Sequence, residues 1–154
     1  MKVNPRTLAS GSLAGILSML VLAKRGRAED ASAVAPINAP SHWLFGKKAL
    51  AQDRTSWRYT ATGAAIHHGS ALMWGYFYDR LMRSRANRSV GQLVGGAAAL
   101  TAVAALVDLK LVPERFTPGF EHHLSKKSLF TVYAVFAVGL ALGGVLARKP
   151  LAKR

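Results

Sequence analysis

The stretch SLFTVYAVFAVGLALGGVLA, residues 128–147, contains no Asp, Glu, Lys or Arg. Three further stretches, residues 7–23, 59–78 and 89–107, also lack these residue types. A helix at the surface of a water-soluble protein keeps one polar face, whereas a transmembrane helix needs about 20 predominantly apolar residues. The sequence therefore predicts a small polytopic membrane protein.

We predict an all-α fold in which four transmembrane helices form one bundle. The expected spans are residues 7–23, 58–80, 89–112 and 128–147, and residues 24–57 and 113–127 form the outward loops. Since neither loop reaches the size of a soluble domain, about 50 residues or more, residues 1–154 are expected to form a single membrane domain. The first stretch could also be a signal sequence, but its Gly11 and Gly15 match a helix-packing pattern and favour a retained span.

The composition restricts the partners and the chemistry. A formal net charge of +14 would suggest nucleic-acid binding in a soluble protein. Here basic residues such as Lys24, Arg25 and Arg27 bracket the uncharged stretches, where they anchor helices and contact anionic lipids. We therefore expect a bilayer with anionic lipids as a partner and no nucleic acid. The chain has no cysteine, which excludes disulfides, thiol catalysis and thiolate-bound metals.

The distribution of charge predicts the orientation of the chain. Four spans place both termini on one side, and the short segments there are densely basic, with Asp79 as their acid. Cations on the opposite side are spread over two longer loops and diluted by acids. Because Lys and Arg in short loops favour the cytoplasmic side, we expect both termini to be cytoplasmic. The basic residues behind this expectation are Lys2, Arg6, Arg80, Arg83, Arg85, Arg88, Arg148, Lys149, Lys153 and Arg154.

The two outward loops have a similar residue order. Each contains two prolines, then a histidine, a leucine, a pair of lysines and a second leucine, at residues 36–50 and 113–129. This order fits a duplicated two-helix unit, although short matches in Ala- and Gly-rich sequence also arise by chance. In the first loop, residues 31–40 are expected to be irregular, and Ser41 is expected to cap a short interfacial helix that reaches Leu50.

The second predicted span carries two adjacent histidines, His67 and His68, near its middle. Neighbouring residues on a helix point about 100° apart, so the pair cannot chelate one metal together. His67, Ser70 and Trp74 share one face, a polar stripe suited to line a small cavity. An intramembrane histidine can hydrogen-bond between helices, relay protons or ions, or contact haem, copper or a quinone, and the sequence leaves these roles open.

Asp108 lies near the outward end of the third predicted span. Its expected depth is less than that of His67, so a bond between the two is not expected. Arg58, Tyr59 and Thr60, at the start of the second span, match its depth better. We interpret Asp108 as half of an ion pair or hydrogen bond that joins the second and third helices.

A possible metal site lies in the outward loops. His42, Glu121, His122 and His123 fall on the same side of the membrane. If the two loops fold over each other, these residues supply nitrogen and oxygen ligands suited to zinc or copper, which need three or four such groups. The alternative is that they are ordinary loop residues that hydrogen-bond or contact lipid head groups.

Pairs of glycines spaced four residues apart occur in three of the four spans. Such pairs let helices approach closely, and any face left unused would support a homo-oligomer or docking on a larger membrane complex. Motifs typical of serine hydrolases, zinc peptidases, P-loop proteins and dinucleotide-binding proteins do not occur. The glycine pairs are Gly11 and Gly15, Gly91 and Gly95, and Gly139 and Gly143.

Three segments, APINAPSHWL at 35–44, the 59–68 segment with its two histidines, and VPERFTPGFEH at 112–122, resemble uncharacterised proteobacterial inner-membrane proteins. More distantly, the layout is similar to the YagU-type family, in which glycine-containing helices alternate with a helix carrying His, Ser and an aromatic end. The resemblance implies a bacterial inner membrane and brings no activity with it.

The glycine pairs and the lack of a catalytic motif favour a non-enzymatic assembly or accessory component. Such a component self-associates or docks on a larger membrane complex. The alternative hypothesis is an intramembrane histidine-dependent protein. It would either carry out redox chemistry with haem, copper or a quinone, or transport protons or other ions.

Overall fold

The computed structural model describes residues 5–83 and 88–147, and the regular elements in these ranges are all helical. The all-α class expected from the sequence is therefore confirmed. A π-helical turn, Trp57–Ala61, leads into the fourth helix, and a second, Val107–Leu111, extends the fifth. The helices are α1 (Pro5–Glu29), α2 (Ala35–Asn38), α3 (His42–Phe45), α4 (Thr62–Leu81), α5 (Val90–Leu106) and α6 (Lys126–Leu146).

In the described ranges, three helices rather than the predicted four are both long and apolar enough to cross a membrane. They are Thr7–Glu29, Val90–Leu111 and Lys126–Leu146. These three helices are compatible with a multi-pass membrane protein. The 20 residues of α4 give it sufficient length. Its sequence is less apolar, because His67, His68, Asp79 and Arg80 lie within it.

The central element of the fold is α1. It packs along α4 and along α6, while α5 packs against α6 and meets α4 at few points. Glycine makes this close packing possible. A Cβ atom on Gly11 would lie 2.8 Å from the Cα of Leu72 in α4, and one on Gly143 of α6 would collide with the backbone of Ser10.

The three glycine pairs differ in what they contact. Gly15 of the first pair faces Ala71 and His68 of α4, and Gly139 of the last pair faces the backbone of Ala14 in α1. The pair on α5 is exposed: no atom lies within 4 Å of a Cβ built on Gly95, and only the Ser89 side chain, at 3.8 Å, is near one built on Gly91. Of the described contacts, none uses this pair to pack one helix on another.

The first loop is more ordered than predicted. Its residues 35–38 form α2, with Pro36 in the first turn, where a missing backbone N–H is tolerated. The buried Asn38 side chain donates to the carbonyls of Gln52 at 2.9 Å and Arg54 at 3.0 Å, and it accepts a hydrogen bond from Thr60 Oγ1 at 2.6 Å. These bonds fix the loop against the start of α4.

The predicted interfacial helix is divided into two parts. Gly46, with φ +71°, ends α3, and a separate 3₁₀ turn, Lys47–Ala51, follows it. Left-handed φ values suit glycine, which lacks a Cβ. Ser41 does not cap α3, since its hydroxyl is buried and makes no hydrogen bond in the described part of the chain.

Most residues behind the orientation prediction lie outside the described residues: Lys2, Arg85, Arg148, Lys149, Lys153 and Arg154, together with the side chain of Arg6. Arg80 and Arg83 are exposed near the end of α4. The cytoplasmic placement of both termini stays a prediction.

Replacing Gly143 with alanine is expected to destabilise the protein, because the added methyl group collides with the α1 backbone at Ser10. Overpacking of this kind costs about 1–3 kcal/mol. The thermal midpoint of the detergent-solubilised protein, followed by circular dichroism, measures the effect. Gly69→Ala is the control, since a Cβ there meets no atom within 4 Å. Equal midpoints for the two variants would contradict the close contact of α1 with α6.

Candidate functional site

A cavity of about 230 Å³ lies between α4 and α5, toward the ends of these helices that meet the two loops. Side chains of α6 and Ser18 of α1 complete its helical wall, and most of the lining is apolar. Cavities of this composition, with a few polar groups, are typical small-molecule sites. The lining includes six aromatic side chains: Trp43, Trp74, Phe116, Phe120, Tyr133 and Phe136.

The cavity forms because α4 and α5 contact each other mainly where α4 ends and α5 begins. There, the Tyr78 hydroxyl donates to the Leu93 carbonyl at 3.0 Å, and Met82 fills the space beside Gly96. Farther toward the loops, the facing side chains run from Ile66 to Trp74 on α4 and begin at Ala104 on α5, with the cavity between them.

The two outward loops pack on each other and close one end of the cavity. The Trp43 indole donates to the Thr117 carbonyl at 2.8 Å, and its ring meets Phe116 edge to face at a centroid distance of 5.8 Å. Lys47 and Glu114 form an exposed ion pair at 3.1 Å. Gly119, with φ +85°, lets the second loop approach the Ala39 carbonyl closely.

The predicted stripe on α4 lies partly on the cavity wall, since His67, Ser70 and Trp74 all line it. His67 Nε2 is 3.0 Å from Ser18 Oγ, which is also 2.7 Å from the Ala14 carbonyl. A hydroxyl has one proton, so when Ser18 donates it to that carbonyl, His67 donates its Nε2–H to Ser18. His67 is thereby fixed to α1.

His68 does not line the cavity. Its Nε2 lies 3.4 Å from Ser12 Oγ of α1, and its ring contacts the face that Gly15 leaves open. Both histidines therefore contact serines of the same helix, Ser12 and Ser18, which lie less than two turns apart. Each histidine thus has a hydrogen-bond partner on α1, which fits one of the roles that the sequence left open, hydrogen bonding between helices.

Asp108 lies on the cavity wall, but its partner differs from those considered in the sequence. The Tyr133 hydroxyl of α6 donates to Asp108 Oδ2 at 3.1 Å. Arg58 instead stacks over Phe45, 4.5 Å from the ring centroid, and Thr60 bonds Asn38. Asp108 therefore joins the extension of α5 to α6 and not, as expected, the second predicted span to the third. Tyr133 lies about 10 Å along α6 from Lys126, and the depth of residues on the second span gives no sign of it.

The four loop residues proposed as metal ligands do not form one cluster, although His42 and His122 line a common pocket beside the loops. His42 packs between the loops, with Nδ1 2.8 Å from the Ala39 carbonyl and Nε2 3.3 Å from that of Glu114. His123 Nδ1 lies 2.6 Å from Asp30, whereas His122 and Glu121 approach each other at 4.0 Å.

Within residues 5–83 and 88–147, no three His, Asp or Glu side chains are grouped so as to hold a metal ion. The loops do fold over each other, but they pair through backbone carbonyls, aromatic rings and the ion pair of Lys47 with Glu114. Their histidines consequently point to different partners, and the predicted zinc or copper site is not assembled.

No protein-family model, curated protein or solved structure matches the chain. The fold and the site define an all-helical protein, compatible with a multi-pass membrane protein, with an aromatic-lined cavity between two of its helices. The resemblance to YagU-type proteins stays a prediction.

Proposed function

We propose that the protein is a non-enzymatic component of the bacterial inner membrane that binds a lipophilic small molecule from the lipid phase. The cavity between α4 and α5 is the observation that carries this proposal. Its aromatic and aliphatic lining provides the favourable burial of apolar surface, and Asp108, His67 and Ser70 provide the few polar groups that orient a ligand. Quinones are one class of bilayer molecule with this mixed character.

The proposal includes α4 as a fourth transmembrane span. Its two histidines face serines of α1, so these polar groups are paired inside the protein. Met73, Tyr76 and Phe77 supply exposed apolar and aromatic surface to lipid. Pairing of intramembrane polar groups lowers the cost of placing them in the bilayer. The termini and the α4–α5 hairpin then lie in the cytoplasm and the two loops in the periplasm.

A second candidate function, self-association, is favoured by one face of α5. Gly91, Gly95, Ala98 and Ala102 follow the helical repeat and are all exposed. Small residues let two transmembrane helices approach closely, and the same face on a second copy is complementary by two-fold symmetry. We propose a second copy of this chain as the occupant of this face.

The fourth span is tested with single cysteines, which the cysteine-free chain permits. Thr55→Cys, in the first loop, is expected to react with a membrane-impermeant maleimide in intact bacteria. Arg83→Cys, after α4, is expected to react only after the cells are lysed. Both positions are exposed in the structure. Labelling of both on the same side would show that α4 does not cross.

Binding in the cavity is tested through its own tryptophans. Trp57 is 90% exposed, and its replacement by phenylalanine leaves Trp43 and Trp74, which both line the cavity. Neopentylbenzene, added to the Trp57→Phe protein in lipid nanodiscs, is expected to change their fluorescence saturably. Val107→Phe, which fills the cavity, is expected to suppress the change, whereas Val103→Phe, one turn away and exposed, is expected to preserve it. A change that does not saturate, or that survives Val107→Phe, would contradict binding in the cavity.

Self-association is tested by oxidative crosslinking in membranes. A Gly95→Cys protein is expected to form disulfide-linked dimers because two copies meet at this face. Gly69→Cys is the matched control, since Gly69 is also an exposed helical glycine with no atom near a built Cβ. Equal dimer fractions from the two proteins would show that α5 has no preference as an interface.

A further inference from the structure

We propose that the cavity selects a lipophilic cation, with Asp108 and the aromatic rings around it holding the positive group. The inference rests on the proposed function, since it names the chemical class of the molecule that the cavity takes. It is carried by three features of the described residues: an acid without a cationic partner, a wall of aromatic rings, and the absence of charged residues from 59–78 and 89–107 beside the cavity.

The first feature is the isolation of Asp108. It supplies the one carboxyl group among the described residues that line the cavity, and Lys and Arg do not occur in that lining. No ion pair in residues 5–83 and 88–147 includes Asp108. Its partner is the neutral hydroxyl of Tyr133, at 3.1 Å. A carboxylate in apolar surroundings is unfavourable unless a cation pairs with it, and a cationic ligand supplies that pair.

The second feature is the arrangement of the rings. Tyr133, which bonds Asp108, is 6.4 Å from Phe120 between ring centroids, and Phe120 is 6.4 Å from His67. The faces of aromatic rings carry negative charge density, so they attract cations and repel anions. Quaternary ammonium groups are recognised by clusters of this kind. The rings and the carboxyl group therefore favour the same sign of charge on the ligand.

The third feature is the route to the site. Residues 59–78 and 89–107, which cover most of the two helices beside the cavity, contain no Lys or Arg. The loops that close the outward end carry Lys47 and Arg115. A cation that approaches from the bilayer, between α4 and α5, therefore avoids the positive charge of the loops. His67 is fixed to Ser18 of α1 by its Nε2 and is not paired with Asp108.

The inference is tested with two probes of the same shape, benzyltrimethylammonium and neopentylbenzene, which differ by a charged nitrogen in place of a carbon. Both are titrated into the Trp57→Phe protein in nanodiscs, and affinities are expressed relative to the probe concentration in the lipid phase. We expect the cation to bind roughly tenfold more tightly or better, because it pairs with a half-buried carboxylate in an apolar cavity.

Asp108→Asn is expected to abolish this preference, since the amide oxygen still accepts the Tyr133 hydrogen bond but carries no charge. Asp53→Asn is the control, because it makes the same change of charge at an exposed loop position. We expect it to retain the preference of the unsubstituted protein.

The outcomes separate the two proposals. If neither probe binds, the proposed function is wrong. If neopentylbenzene binds as tightly as the cation, or Asp108→Asn leaves the preference intact, the cation inference is wrong and the cavity function stands. Should Asp108→Asn fail to fold, the relative affinities of the two probes for the Trp57→Phe protein, which retains Asp108, still decide whether the cavity prefers a cation.

Discussion

The structure depends on the close approach of the α1 backbone to two other helices. Where α1 meets α4 and α6, glycines replace side chains, so backbone lies against backbone. In a membrane, lipid tails are as apolar as the helix surfaces, and association relies on close van der Waals packing and on hydrogen bonds between helices. Ser18 and Ser12 add such bonds to His67 and His68. The positions of both histidines are therefore set by α1.

At the loop end of the fold, Glu29, the last residue of α1, connects α1 to α6 through hydrogen bonds. Its Oε1 accepts hydrogen bonds from Arg25 at 2.6 Å and from Ser128 Oγ at 2.5 Å, and its Oε2 accepts one from the Ser125 backbone at 2.7 Å. Ser125 and Ser128 lie at the start of α6, where a negative charge is favourable because of the exposed N–H groups. The end of one helix thus fixes the beginning of another, next to the loops that cover the cavity.

Much of the helical layout could be predicted from the sequence, because uncharged stretches and glycine spacing depend on residues close in the chain. Glycine spacing alone did not distinguish the glycines that pack against another helix of the chain from Gly91 and Gly95, which are exposed. That difference is set by the rotation of α5 relative to its neighbours. The order in the first loop was missed for a similar reason, since Asn38 finds its three partners 14 to 22 residues away.

The candidate site was predicted in part. The helical repeat placed His67, Ser70 and Trp74 on one face, and all three line the cavity. The partner of Asp108 was not found, because Tyr133 is 25 residues away on a helix whose tilt and neighbours cannot be read from periodicity. The metal-ligand hypothesis depended on side-chain directions in two loops, and those directions are decided by contacts such as that of Trp43 with Thr117.

The central position of α1 has a consequence for biosynthesis. Chains are made from the N-terminus, so α1 leaves the ribosome before α6, one of its two packing partners. Until residues 126–146 are inserted, the α1 backbone that later meets Gly139 and Gly143 is covered by lipid or by another protein. The later helix, α6, therefore completes the contacts of α1, and a ribosome that stalls before α6 leaves a chain with one flank of α1 open to other helices.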